Sequence, residues 1–197
     1  MFFRVAKVLV RLFMRLYYRI TIDGQENIPA DGGCVLCVNH TSLWDPPVLM
    51  AMLERQIFFI AKEELFHHPF LSWLLPKIGT VPIKRDHGDV GAIKAALRVI
   101  KNGGVLGIFP SGRRVLPGQK ANVKAGVALI ATMSKAPVIP IYIDAVYRPF
   151  HKIHIIIGQQ MDFSAYDGRK LDTGELKGLA NEMYGHIMAL KPGDDII

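Results

Sequence analysis

The sequence predicts an α/β fold: a single layered domain with a mixed central sheet flanked by helices. Three observations predict it. Short apolar runs bounded by Gly, Pro or Asn alternate with segments whose apolar residues recur at helical spacing, and such alternation builds layered α/β domains. No internal repeat or low-complexity linker interrupts the 197 residues, which is about one domain's length. Half of the residues are hydrophobic (50%) and 21% are charged, a composition that excludes a disordered chain, a coiled coil, a collagen-like repeat and a disulfide scaffold.

The chain opens with a stretch unlike the rest. Residues 1–20 hold no acid and five cations, Arg4, Lys7, Arg11, Arg15 and Arg19. At about 100° per residue they fall within an arc of roughly 120°, one stripe on a helix whose remaining surface is aliphatic and aromatic. A signal peptide gathers its charge ahead of an unbroken apolar run, and a spanning helix does not carry cations through the bilayer centre. The pattern predicts an amphipathic helix over 1–20 that anchors in a membrane interface, ahead of a domain over 21–197. A terminal helix docked on its own domain, with the cations as its solvated side, is the plainer alternative.

The elements of the domain follow in order. Cys34–Val38 is a buried strand opened by Gly32-Gly33, and Pro46-Pro47 start a helix over Val48–Leu53. Ile57–Ala61 is a strand, Leu65–Lys77 a pair of short helices broken at Pro69, and Thr80–Ile83 a brief strand. Val90, Ile93, Leu97 and Ile100 space a helix that Asn102-Gly103-Gly104 stops. A strand over Val105–Phe109, a helix over Val123–Met133, strands over Val138–Ile143 and Ile153–Ile157, and a helix over Leu176–Leu190 complete the set. Cys34 and Cys37 have a metal-like spacing, but three residues apart on a strand they point to opposite faces. His67-His68, adjacent rather than helically spaced, does not suit a shared metal ion either.

Charge narrows the function. A formal net charge of +7 favours anionic partners: nucleic acid, a phosphorylated substrate or an acidic membrane surface. A mean hydropathy of +0.23 tilts the choice toward membrane. Nucleic acid is set aside, because much of the positive excess lies in residues 1–20, among aliphatic side chains rather than spaced stacking aromatics.

Chemistry gathers where strands end. His40 and Asp45 lie in the turn between the first buried strand and its helix. A carboxylate on one imidazole nitrogen fixes the tautomer and leaves the other nitrogen to act as a base. The same spacing also suits Asp45 as a plain helix cap and His40 as a strand terminus. Two later turns are cationic: Lys84-Arg85 after one strand, and Ser111-Gly112-Arg113-Arg114 after another, with Lys120 and Lys124 opening the next helix. Guanidinium groups at strand ends suit bidentate capture of phosphate, and Gly112 lets backbone approach an anion. Ordinary surface charge is the alternative.

Taken in order, these segments resemble the 1-acylglycerol-3-phosphate acyltransferases, the lysophosphatidate acyltransferases of phospholipid synthesis. The resemblance runs from about Ile22 to Ile143, and four elements carry it. They are Asn39-His40-Thr41-Ser42-Leu43-Trp44-Asp45 (against Asn-His-x-Ser-x-x-Asp), Gly79 to Arg85, Phe109-Pro110-Ser111-Gly112-Arg113-Arg114 (against Phe-Pro-Glu-Gly-Thr-Arg) and Val138-Ile139-Pro140-Ile141. Gly24-Gln25-Glu26-Asn27-Ile28-Pro29 is similar as well. Ser111 and Arg113 stand where the family usually has Glu and Thr, which makes that turn more positive.

The resemblance implies that His40, oriented by Asp45, deprotonates the hydroxyl of a lysophospholipid acceptor. The alkoxide then attacks an acyl thioester, from acyl-CoA or acyl-carrier protein. Arg85 and Arg114 become candidates for the acceptor phosphate with Ser111, Gly112 and Arg113 beside them, and no metal or bound cofactor is expected. It further implies a peripheral or monotopic enzyme on the cytoplasmic face of the cell membrane, in contact with phospholipid and with no nucleic-acid partner. A sibling enzyme using glycerol-3-phosphate or another lysophospholipid, and a non-catalytic membrane-binding protein of the same fold, remain the alternatives.

Overall fold

Seven strands form one mixed sheet in the order β1-β7-β6-β2-β5-β3-β4, in a computed structural model that describes residues 2–83, 90–116, 118–166 and 169–193. The strands are β1 (Arg19–Asp23), β2 (Cys34–Val38), β3 (Ile57–Lys62), β4 (Thr80–Ile83), β5 (Val105–Ile108), β6 (Val138–Ala145) and β7 (Lys152–Ile157). The five from β6 to β4 run parallel, whereas β7 pairs antiparallel with β6 and parallel with β1. The sheet is therefore mixed, as expected.

Among the described residues six α-helices accompany it: α1 (Phe2–Tyr17), α2 (Asp45–Met52), α3 (Pro69–Lys77), α4 (Val90–Lys101), α5 (Gly126–Ser134) and α6 (Thr173–Ala189). The last begins on a capping box in which Asp172 accepts from the Glu175 amide at 2.8 Å and Glu175 accepts from the Asp172 amide at 3.0 Å. Such reciprocal caps satisfy two orphan amides at once.

Strand β2 lies at the centre of the sheet and is buried along its whole length. Its alternate side chains feed two cores. Cys34, Leu36 and Val38 join α2, Met14 of α1 and the isoleucines of β7; Val35 and Cys37 join α4, α5 and α6. The two thiols are free and diverge into opposite cores, as strand alternation requires.

Several boundaries differ from expectation, α6 beginning at Thr173 and β6 running to Ala145 among them, and three have a plain local reason. The first helix ends at Tyr17, and Arg19 opens β1, so Arg19 leaves the cationic stripe; the Arg19 amide donates to the His151 carbonyl instead. Helix α5 starts at Gly126, three residues after Val123. Val123 drops into the core while the Lys124 amide donates to the Pro110 carbonyl at 2.8 Å, which holds this segment out of helical form. Lys120 and Lys124 accordingly precede the helix. Helix α2 begins earlier, at Asp45, with both prolines in its first turn.

Helix α1 is docked with Lys7 and Arg11 inward, while Arg15 is exposed. Lys7 Nζ donates to the Leu53 carbonyl and, at 2.7 Å, to that of Glu54, while Arg11 donates to Ala51 (2.8 Å) and Met52 (3.1 Å). These carbonyls sit at the C-terminal end of α2, where the unpaired C=O groups and the helix dipole both favour cations. Val5, Val8, Leu9, Leu12, Phe13 and Leu16 are left exposed, Leu12 at 66% and Leu16 at 71%. Among the described residues, no helix is long and apolar enough to cross a membrane.

Candidate active site

In a largely parallel sheet the segments that follow the strands meet at one end, and here those after β2, β5 and β6 do so. The first carries His40. Asn39, just past β2, continues the ladder with its side chain: its Nδ2 donates to the Ile143 carbonyl at 2.9 Å, and its Oδ1 accepts from the Ile143 amide at 2.7 Å. That pair locks the end of β2 to β6 and sets the direction in which His40 leaves the sheet.

His40 Nδ1 lies 2.8 Å from Asp45 Oδ2. The same oxygen accepts from the amides of Thr41 and Ser42, each at 2.8 Å. The carboxylate thus folds back over the loop that precedes its helix rather than capping the helix, so Asp45 is not a plain helix cap. Its other oxygen accepts a 2.6 Å hydrogen bond from the Tyr147 hydroxyl. Asp45 is 0% exposed, and four donors offset the cost of burying its charge. Burial first, and then the Asp45 carboxylate, push the Tyr147 hydroxyl well above the ordinary phenol range, so it donates as a neutral group. With Nδ1–H committed to a carboxylate, Nε2 of His40 is the nitrogen with a lone pair to offer.

The imidazole is also held from one face. Phe109 stacks on it with ring centroids 4.1 Å apart, and Phe59 stacks on Phe109 at 5.3 Å. This column depends on Gly107, which pairs with Phe59 across β5 and β3. A Cβ at Gly107 would fall 2.3 Å from Phe59 Cε1, closer than two carbons can approach.

The cationic turn after β5 reaches the same end of the sheet. Ser111 is buried, and its hydroxyl donates to the Arg113 carbonyl at 2.6 Å, so its role is to close the turn. Gly112 takes φ +62°, the left-handed conformation that glycine adopts without steric cost. Ser111, Gly112, Arg113, Asn122 and Lys124 line an open depression of about 270 Å³. Arg114 is exposed beside it, and the Val115 amide donates to the His40 carbonyl at 2.8 Å, tying the two loops together. Among the described residues, neither guanidinium has an acidic partner. Lys84 and Arg85 lie outside the described residues.

Comparison with known proteins now decides the family. A family model described as Acyltransferase matches residues 19–144. The chain belongs to the acyltransferase family. A 1-acyl-sn-glycerol-3-phosphate acyltransferase of Bacillus subtilis is 33% identical over 132 residues, 66% of this chain and 65% of that protein. One from Streptococcus pneumoniae is 31% identical over 160 residues, 80% of this chain and 57% of the relative. The chain therefore spans less than two thirds of these curated relatives. The crystal structure of the 1-acyl-sn-glycerophosphate acyltransferase PlsC from Thermotoga maritima superposes with a TM-score of 0.73 at 27% identity, over 96% of this chain and 79% of that one.

Within this acyltransferase domain the structure unites what the sequence singled out, His40 with Asp45 and Ser111 with Gly112 and Arg113. It adds Asn122 to the depression, and Phe59, Phe109 and Tyr147 around the His–Asp pair. Phe109 stood in a quoted motif, and its place before Pro110 was a usable signal. Tyr147 had none: 102 residues separate it from Asp45.

Proposed function

We propose that the protein transfers an acyl chain from an acyl thioester, acyl-CoA or acyl-carrier protein, to the free sn-2 hydroxyl of 1-acylglycerol-3-phosphate, forming phosphatidic acid. The His40–Asp45 pair carries this reading, because a buried carboxylate 2.8 Å from Nδ1 prepares Nε2 to accept a proton. His40 Nε2 takes the hydroxyl proton as the acceptor oxygen attacks the thioester carbonyl. The tetrahedral adduct then breaks its C–S bond, and the imidazolium returns the proton to the departing thiolate. The new ester and a free thiol are the products. No metal or cofactor enters these steps.

The acceptor's phosphate is placed against the cationic turn. Arg113 and Lys124 at the depression, with Arg114 beside it, supply the positive charge, and Gly112 shapes the backbone there. Ser111 adds no carboxylate to repel the anion. That observation also favours a second reading, in which the acceptor is glycerol-3-phosphate or a lysophospholipid with another headgroup.

Acceptor and product are lipids, so the enzyme works at a bilayer. The exposed apolar side of α1 supports a peripheral or monotopic placement, on the cytoplasmic face where acyl thioesters are made. No nucleic-acid partner is proposed.

The test is thiol release with the acceptors compared in parallel: lysophosphatidate, glycerol-3-phosphate and lysophosphatidylcholine, each with either donor and with products identified by mass. Release that depends on lysophosphatidate and yields phosphatidic acid is expected. Turnover only with another acceptor moves the assignment to the sibling enzyme, and no turnover with any of them rejects the reading.

A further inference from the structure

A carboxylate sealed from water needs a donor on each oxygen, or it shifts to find one. Asp45 has three donors on Oδ2 (His40 Nδ1 and the amides of Thr41 and Ser42) and, among the described contacts, one on Oδ1, the Tyr147 hydroxyl at 2.6 Å. We propose that Tyr147 is a positioning residue for proton transfer at His40: it pins Oδ1, and so keeps Oδ2 on the imidazole. The proposal rests on the general-base reading of His40 above and deepens it.

The placement of Tyr147 is itself supported. It lies two residues past β6 and beyond the matched range of residues 19–144. Its ring meets the edge of Tyr18, centroids 6.3 Å apart, and the Phe150 amide in the same loop donates to the Tyr17 carbonyl at 2.6 Å. Tyr17 is the last residue of α1. The hydroxyl that fastens Asp45 is therefore carried by a loop stitched to the end of α1, and it takes the carboxylate oxygen that His40's own loop does not.

The chemistry explains why a second clamp matters. When His40 takes a proton, the imidazolium pairs with Oδ2, and the pair must hold its geometry through two proton transfers. Without the Tyr147 hydroxyl, Oδ1 is a buried anionic oxygen with no donor among the described residues. The carboxylate then turns to share the Thr41 and Ser42 amides between its two oxygens, and Oδ2 swings off Nδ1. Ground-state binding of acceptor and donor, which do not touch Tyr147 in this scheme, is unaffected.

Tyr147→Phe removes the hydroxyl and keeps the ring on Tyr18. Two readouts are taken on the full chain. The first needs no turnover: the proton on His40 Nδ1, in a hydrogen bond to a carboxylate, gives a downfield NMR resonance that His40→Ala assigns by its loss. In Tyr147→Phe that resonance is displaced from its wild-type position. The second is kinetic: kcat falls about tenfold, the size expected for one hydrogen bond to a charged group, with KM for the acceptor unchanged. A resonance at the wild-type position overturns the proposal, as does a wild-type kcat or a loss that falls on KM. If the wild-type protein transfers no acyl group, the resonance still decides the clamp while the proposed reaction fails by itself. Should Tyr147→Phe not fold, 3-fluorotyrosine at position 147 keeps the shape and strengthens the donor; an unmoved resonance there overturns the proposal equally.

Discussion

Arg11 Nε donates to the Ala51 carbonyl at 2.8 Å, which with Lys7 turns two cations of helix α1 onto protein and not toward solvent. A terminal helix docked by hydrophobic burial would do the reverse. Lys7 and Arg11 cap the C-terminal end of α2, Met14 anchors the helix in the core, and the leucines are turned out. The membrane reading thus keeps its apolar contact but loses two of its cations to the α2 carbonyls.

The first prediction concerns that exposed side. Leu9→Gln, Leu12→Gln and Leu16→Gln combined should abolish co-sedimentation with anionic vesicles. Each leucine buried in lipid contributes about 1.5–3 kcal/mol, so binding should drop by several orders of magnitude. The melting temperature should hold, because all three side chains are exposed in the folded protein. Undiminished sedimentation would remove α1 from the membrane contact. Deleting residues 1–19 is a poorer test, since it also removes Met14 from the core and Arg19 from β1.

Capping of α2 gives the second. Lys7→Met and Arg11→Met keep the side-chain stems and remove the charge, and each should lower stability by about 0.3–2 kcal/mol, the range for a cation at a helix C-terminus. Urea denaturation of the two variants measures it. Unchanged midpoints would mean that the contacts add nothing to the docking of α1.

Cysteine chemistry gives a pH dependence. Burial pushes the Cys37 thiol up to about 12, from an ordinary value of 9.0. The unfolded chain therefore releases this proton at lower pH than the folded one, and stability falls as pH rises from about 9 toward 12. Cys37→Ala should flatten the loss of stability over that window, whatever it costs at neutral pH. In native protein Cys37 should also resist iodoacetamide at pH 8 and react once denatured. Equal alkaline slopes in the two proteins would contradict the burial argument.

Gly107→Ala tests the aromatic column beneath His40. The added methyl meets the Phe59 ring at 2.3 Å, so Phe59 must move and Phe109 with it. Overpacking of this kind typically costs about 1–3 kcal/mol, read as a lower melting temperature together with reduced turnover. A variant with wild-type stability would show that Phe59 has room to yield.

Much of the fold was legible because its signals are local. β2 is one unbroken apolar run between Gly33 and Asn39, and α4 has its spacing and its Asn-Gly-Gly stop. β1 was hidden by an accident of periodicity: Arg19 falls four residues after Arg15 and continues the helical stripe, although Arg19 to Asp23 also alternates as a half-buried strand. The start of α5 depends on Pro110 capturing the Lys124 amide, a contact that spacing alone does not reveal. At the site, His40 and Asp45 were readable because five residues of one turn bring them together. Tyr147 and Phe59 reach the same place from other strands, and only the order of the sheet puts them there.

The most direct measurement is thiol release from an acyl thioester by wild type and His40→Ala side by side, with lysophosphatidate presented in vesicles. Acceptor-dependent release is expected from wild type, with a loss of about 10²–10⁴-fold in the variant, the usual worth of a general base. Release by His40→Ala at the wild-type rate would contradict the assignment of His40 as the base, and with it the reason for a buried Asp45.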